Sequence, residues 1–210
     1  MKRLILAITL VFASLSSVTA QSKYNYEVWD VVVGGKLGVG TSTLTSVDAD
    51  RQFFPYGSIY GELYVGNTTT MSLEVGYAHK GGNNVAGTAK PGAPEATIYD
   101  FNLNYINLSY IVKYLPTKNL GVYAGLSMGR MVDAKAKTEG ESLDIIDDLK
   151  KGDFSFPLGV EYTIARNWTV DLRYHFSPST IAKSEGAKSI LGKAHNQLIS
   201  LTVGYKIQVF

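Results

Sequence analysis

Trp168-Thr169-Val170-Asp171-Leu172-Arg173-Tyr174-His175-Phe176 alternates without a break, with large apolar or aromatic residues at the even positions and polar or charged ones between. A period of two belongs to an extended strand, whose successive side chains point to opposite faces, whereas a helix repeats every ~3.6 residues. One face of this segment is therefore bulky and apolar, and the other carries Asp171, Arg173 and His175. The pattern recurs on both sides. Phe154, Phe156, Leu158, Val160, Tyr162 and Ile164 alternate with Ser155, Pro157, Gly159, Glu161 and Thr163. Ile199, Leu201, Val203, Tyr205, Ile207 and Val209 alternate with Ser200, Thr202, Gly204, Lys206 and Gln208, and Met71, Leu73, Val75 and Tyr77 with Ser72, Glu74, Gly76 and Ala78. Val31 to Gly40, Gly57 to Val65, Phe101 to Tyr114 and Leu120 to Met131 alternate less regularly. In Phe101 to Tyr114 the apolar phase slips by one at Tyr105-Ile106, which reads as a bulge.

These segments predict eight strands, each near the ~9–11 residues that a tilted strand needs to cross a bilayer. Their links differ in length. Gly66-Asn67, Leu115 to Asn119 and Ala165 to Asn167 are tight, whereas Thr41 to Pro55, Lys80 to Ile98, Val132 to Gly152 and Ser177 to Asn196 are long and polar. Ser142 to Lys150 is expected to add a helical turn. Short turns at one end and long loops at the other predict an all-β fold, an eight-stranded antiparallel up-and-down transmembrane β-barrel, with turns periplasmic and loops outside. A soluble sandwich or lipocalin-like barrel alternates too. Here, however, the polar face is rich in Gly, Ser and Thr, as a crowded interior requires, and the apolar face is aromatic, as lipid contact requires.

The N-terminus supports export. Lys2 and Arg3 precede the apolar run Leu4 to Phe12, and Val18-Thr19-Ala20 supplies small residues for cleavage. Residues 1–20 are expected to be a signal peptide and residues 21–210 the barrel domain, starting at Gln21. The chain of 210 residues has no cysteine, which excludes disulfides, thiolate metal sites, a Cys nucleophile and a lipidated N-terminal Cys. A net charge of +2, from 20 Lys and Arg against 18 Asp and Glu, gives no field for nucleic acid. The 14 tyrosines suit membrane interfaces and the 21 glycines suit turns and a narrow interior.

Tyr105-Ile106-Asn107-Leu108-Ser109-Tyr110-Ile111-Val112-Lys113-Tyr114, then Gly121 to Gly129, Phe156 to Tyr162 and Asn167 to Tyr174, resemble strands of the PorT-like, OmpA/OmpX-type outer-membrane β-barrel family of Bacteroidota. The resemblance covers most of the chain after residue 20, and it implies fold and location without a catalytic signature. The last strand departs from a common outer-membrane pattern. Phe210 is a fitting terminal aromatic, but Gln208, Lys206 and Gly204 stand where apolar residues are usual, one position out of phase.

With lipid outside, the strand phases send Lys36, Glu62, Glu74, Lys113, Glu161, Asp171, Arg173 and Lys206 into the lumen. Their signs balance, and an eight-stranded lumen is narrow enough for side chains to fill, so a hydrogen-bonded ion network is expected. His175-Phe176-Ser177 is similar to the active site of lipid A 3-O-deacylases. No acid on the last strand orients the His, and the phase turns His175 inward, away from lipid. His79, His175 and His195 lack metal-ligand spacing. The acidic run Glu139, Glu141, Asp144, Asp147 and Asp148 lacks the glycine and spacing of a calcium loop, and reads as a solvated outer loop.

No catalytic residues, metal or cofactor are expected. The expected surroundings are outer-membrane lipid and lipopolysaccharide, the barrel assembly machinery during biogenesis, and a surface partner at the outer loops. The expected role is a non-enzymatic envelope or surface-interaction protein. The alternatives are narrow transport of ions or small solutes, a lipid A-modifying hydrolase, and a secreted lipocalin-like binder.

Overall fold

Alternation in sequence becomes alternation across a barrel wall. The computed structural model describes residues 27–45, 49–86, 98–138, 141–165 and 167–209. The expected signal peptide, its cleavage at Gln21, Glu139 of the acidic run, and Phe210 lie outside the described residues. Within them run β1 (Val31–Thr45), β2 (Gln52–Gly66), β3 (Thr69–Ala86), β4 (Ile98–Tyr114), β5 (Leu120–Thr138), β6 (Glu141–Asp144), β7 (Gly152–Thr163), β8 (Trp168–Thr180), the helix α1 (Glu185–Leu191) and β9 (His195–Gln208). Every pairing is antiparallel between neighbours, β9 returns to β1, and β4 pairs with β5. Eight strands thus close a ring, and β6 folds back on the outer end of β5 as a short hairpin. A ring has no free edge, so the wall satisfies its own backbone groups, as a bilayer demands.

Which face is out is settled by exposure. Leu37 is 75% exposed, Ile59 69%, Leu73 60% and Leu108 54%, whereas Lys36, Glu62, Glu74 and Arg173 are each at most 4% exposed. A lipocalin-like protein in water would invert this arrangement, so the soluble alternative fails on the faces of the strands themselves.

The strands run past their expected outer ends. β3, β4 and β5 have 18, 17 and 19 residues, well beyond a membrane crossing of ~9–11. Much of what composition suggested as long loop is therefore strand rising above the bilayer. This explains the phase slip at Tyr105-Ile106 and corrects its reading as a bulge in that strand. β4 keeps strict alternation through the slip: Phe101, Leu103 and Tyr105 point in, and Ile106, Leu108, Tyr110 and Val112 point out. What changes at this level is the surroundings. In lipid the apolar face turns outward, and above lipid, in water, it turns inward. The irregularity belongs to the partner strand, where Asn104 pairs with Asp133 and Tyr105 with Met131, leaving Val132 of β5 as the extra residue.

Inward apolar residues above the membrane form a cap. Leu44, Val85, Phe101, Leu103, Tyr105, Met131 and Ala134 pack with Leu149, Ile181, Leu191 and Ala194 from the outer connections. α1 brings in Leu191, starting from Ser184, whose Oγ accepts a hydrogen bond from Ala187 N (3.1 Å). It ends at Gly192, where φ of +54° suits glycine. The helical turn expected in Ser142 to Lys150 is absent there. Ser142 to Asp144 pair with β5 instead, a turn follows at 146–148, and Leu149 bridges to Ala182. Pairing to a protruding strand satisfies this backbone better than one isolated turn could.

Candidate functional site in the barrel interior

Each inward-facing charge comes from a position that strand alternation dictates, and the ring brings them together. Lys113 of β4 reaches Glu62 of β2 (3.0 Å) and Glu161 of β7 (2.7 Å). Glu62 also accepts a hydrogen bond from Thr70 Oγ1 (2.5 Å). Lys36 of β1 bridges Glu161 (2.8 Å) and Asp171 of β8 (2.9 Å). Arg173 of β8 forks onto both oxygens of Glu74 of β3, with Nη2 to Oε2 at 2.9 Å. Its Nε donates to Tyr123 Oη (2.8 Å), and that hydroxyl donates to Asp171 (2.8 Å). Lys206 of β9 is buried at 5% exposure and faces the carboxylates of Glu161 and Glu62. Every strand of the ring supplies a member of this layer, β5 through Tyr123.

Aromatic rings fill what the charges leave. Lys36 Nζ lies 5.1 Å from the Tyr60 ring centre, and Arg173 lies over the Tyr123 ring at 5.2 Å. Glycines make room for those rings. A Cβ on Gly34 would stand 2.6 Å from the Tyr60 ring, and one on Gly159 would overlap the Tyr123 hydroxyl. A Gly159→Ala chain is expected to lose about 1–3 kcal/mol of stability through this overpacking. Denaturant unfolding in detergent measures the loss.

A second polar group sits higher in the lumen. Lys80 of β3 pairs with Asp153 of β7 (2.5 Å), and Ser177 of β8 donates to the same carboxylate oxygen (3.1 Å). His175 lies beside them at 2% exposure. Lys80 was missed in the sequence because it was placed at the start of a loop, and Asp153 because it stood between a loop ending at Gly152 and an alternation starting at Phe154. The signal was present, since Lys80 continues the phase of Glu74 and Asp153 that of Ser155 and Glu161. Of the acidic outer run, Asp147 forms an exposed pair with Lys151 (2.9 Å), whose hydrogen bond holds its carboxyl below the usual range. Pairs this exposed contribute little to stability.

The model of the family described as "Outer membrane protein beta-barrel domain" matches residues 8–206. The chain belongs to that family. Solved structures agree on the fold of this outer-membrane barrel. It is similar to the attachment invasion locus protein Ail of Yersinia pestis, with 12% identity, 86% of this chain and 100% of that one covered, and a TM-score of 0.54. It is also similar to Neisserial surface protein A, at 14% identity, 84% and 97% coverage and a TM-score of 0.50. A major outer membrane protein of Thermus thermophilus aligns at 11% identity, 83% and 99% coverage and a TM-score of 0.51. No curated protein matches the chain in sequence.

In this outer-membrane barrel, Ser177 does find an acid, Asp153, which the last strand could not offer. The arrangement is nevertheless poor for hydrolysing a lipid. Ser177 and His175 both face the lumen, 1% and 2% exposed, on the opposite side of the wall from any acyl chain. Asp153 contacts the Ser hydroxyl and Lys80, so it does not serve as the orienting partner of a His base. Among the described residues, no group of three His, Asp or Glu is placed to hold a metal ion.

Proposed function

We propose that this chain is an exported, non-enzymatic and non-conducting outer-membrane barrel that acts from its extracellular end. The carrying observation is that one buried layer of charges and hydrogen bonds draws on every strand of the ring, with Arg173, Lys36 and Lys113 reaching carboxylates on other strands. Above it stand the Lys80–Asp153 pair and the apolar cap with Leu191 of α1. A path for ions would have to break all three. What remains for contact is the lipid-facing wall and the protruding outer end of β3, β4, β5 and β6. In this reading residues 1–20 direct export, the assembly machinery inserts the barrel, and lipopolysaccharide and a surface partner meet its outer end. The PorT-like resemblance of Tyr105 to Tyr114 and its neighbours fits the same role.

The test is single-channel recording of the purified, refolded chain in planar bilayers. Silence is the expected result. Discrete steps whose ion selectivity changes in Arg173→Ala or Glu161→Ala would replace this reading with narrow transport. In parallel, Ser177→Ala is expected to leave the lipid A mass profile of the producing cells unchanged. A profile altered by the native chain and restored by that variant would establish a hydrolase.

A further inference from the structure

The lipid-facing wall is not uniformly convex. Gly35 of β1 and Gly61 of β2 occupy outward positions, and their pairings place them side by side with larger neighbours: Gly35 opposite Ile59 and Tyr205, and Gly61 opposite Val33 and Leu73. The missing side chains leave a groove of about 990 Å³ whose floor is backbone. Val203, Tyr205 and Ile207 wall one side, and Leu73 and Val75 the other. The space is real, because a Cβ on Gly61 would find no atom within 4 Å, and one on Gly35 only the Ser58 carbonyl at 3.6 Å.

Its chemistry selects hydrocarbon. The outward side chains of the walls are apolar, and the charged residue that borders the groove, Lys36, turns inward to Glu161 and Asp171. The groove also has a depth. Val33 and Gly35 lie near the periplasmic start of β1, Ile207 near the periplasmic end of β9, and Trp168 opens β8 directly after a periplasmic turn. Trp168 packs edge-on against Tyr205, ring centres 5.0 Å apart, as an aromatic pair at headgroup level does. The groove is continuous with the surface that the barrel already presents to lipid, on its phospholipid side. We infer that the groove between the Tyr205 and Leu73 walls holds an acyl chain of a periplasmic-leaflet phospholipid as a defined site, longer-lived than the surrounding lipid.

Photolabelling tests this with the full chain in phosphatidylethanolamine–phosphatidylglycerol vesicles containing a phospholipid that carries a diazirine in one acyl chain. On irradiation the diazirine loses dinitrogen, and the carbene inserts into a nearby side-chain bond. Adducts per residue on Val33, Ile59, Leu73 and Tyr205 are expected to exceed severalfold those on the opposite wall at Val122 and Leu126 of β5 and Leu158 of β7. Gly61→Phe, or independently Gly35→Leu, should remove the excess and leave the opposite wall unchanged, with a retained heat-modifiable gel band showing that the barrel is closed. Even labelling around the native barrel overturns the site. So does an excess that survives filling of the groove by a folded variant, or a protein–protein cross-link through Leu73 or Tyr205 in place of lipid adducts.

Discussion

Arg173→Ala is expected to destabilise the barrel by about 3–5 kcal/mol, the cost of removing one partner from a buried charge pair. The loss should appear as a lower urea midpoint in lipid vesicles and as a compact gel band that disappears at lower temperature. Arg173 holds both oxygens of Glu74 and donates to Tyr123, at 1% exposure. Its truncation leaves Glu74 ionised in a narrow lumen with no equivalent donor, and leaves the Tyr123 hydroxyl without its donor while Tyr123 and Lys36 still hold Asp171. Arg173→Lys should recover only part of the stability, because an ammonium cannot reproduce the planar fork. The paired change Arg173→Met with Glu74→Met removes both charges together and should recover most of it, as apolar replacements of whole ion pairs commonly do. A midpoint for Arg173→Ala within about 0.5 kcal/mol of the native chain, the scale of an ordinary surface substitution, would refute the claim that this layer braces the barrel.

The second large effect contrasts two leucines of one strand, five positions apart and on opposite faces. Leu103 is fully buried in the cap above the membrane, and Leu108 is 54% exposed on the outer wall. Leu108 stands six residues before Tyr114, the periplasmic end of β4. At a rise of ~3.3 Å per residue and a tilt of ~40° it lies about 15 Å up, close to the middle of an apolar band about 25 Å tall. Leu103→Ala is expected to cost about 2–5 kcal/mol, because it opens a cavity in a packed core. Leu108→Ala should cost only about 0.5 kcal/mol, because lipid fills the space and only the transfer preference is lost. Arginine at Leu108 should cost about 2–4 kcal/mol, the penalty for a charge at the bilayer midplane. Folding equilibria in vesicles read all of these. Equal costs for Leu103→Ala and Leu108→Ala would mean that the two positions share an environment, and would overturn the boundary drawn between them.

The same boundary governs how much of the molecule was legible. Unbroken alternation in Trp168 to Phe176 was sufficient to orient that strand and, with it, Asp171 and Arg173. Lys36, Glu62, Glu74, Lys113, Glu161 and Lys206 followed from the same rule. Lys80 and Asp153 did not, because polar composition around Gly81 to Asn84 and Asp147 to Gly152 resembles a loop when the solvent on the outside is unknown. Strands that leave lipid must carry polar residues outward, and so they lose the apolar stripe by which they had been recognised. Nor could sequence show that Ser177 meets Asp153, since the two lie on different strands and only the β7–β8 register sets their distance.

By itself, then, the sequence determined the extended conformation, the eight strands of the ring though not β6, the short-turn and long-connection ends, and which side chains share a face, because a period of two is a local property of the backbone. Tertiary structure decided the rest. Closure of β4 on β5 and of β9 on β1 chose which carboxylate each lysine meets, the membrane boundary reversed the sense of β4 near Tyr105, and the β9–β1–β2–β3 neighbourhood turned two separate glycines into a groove. Each of these depends on register between segments far apart in the chain, which packing across the closed ring fixes and local alternation does not.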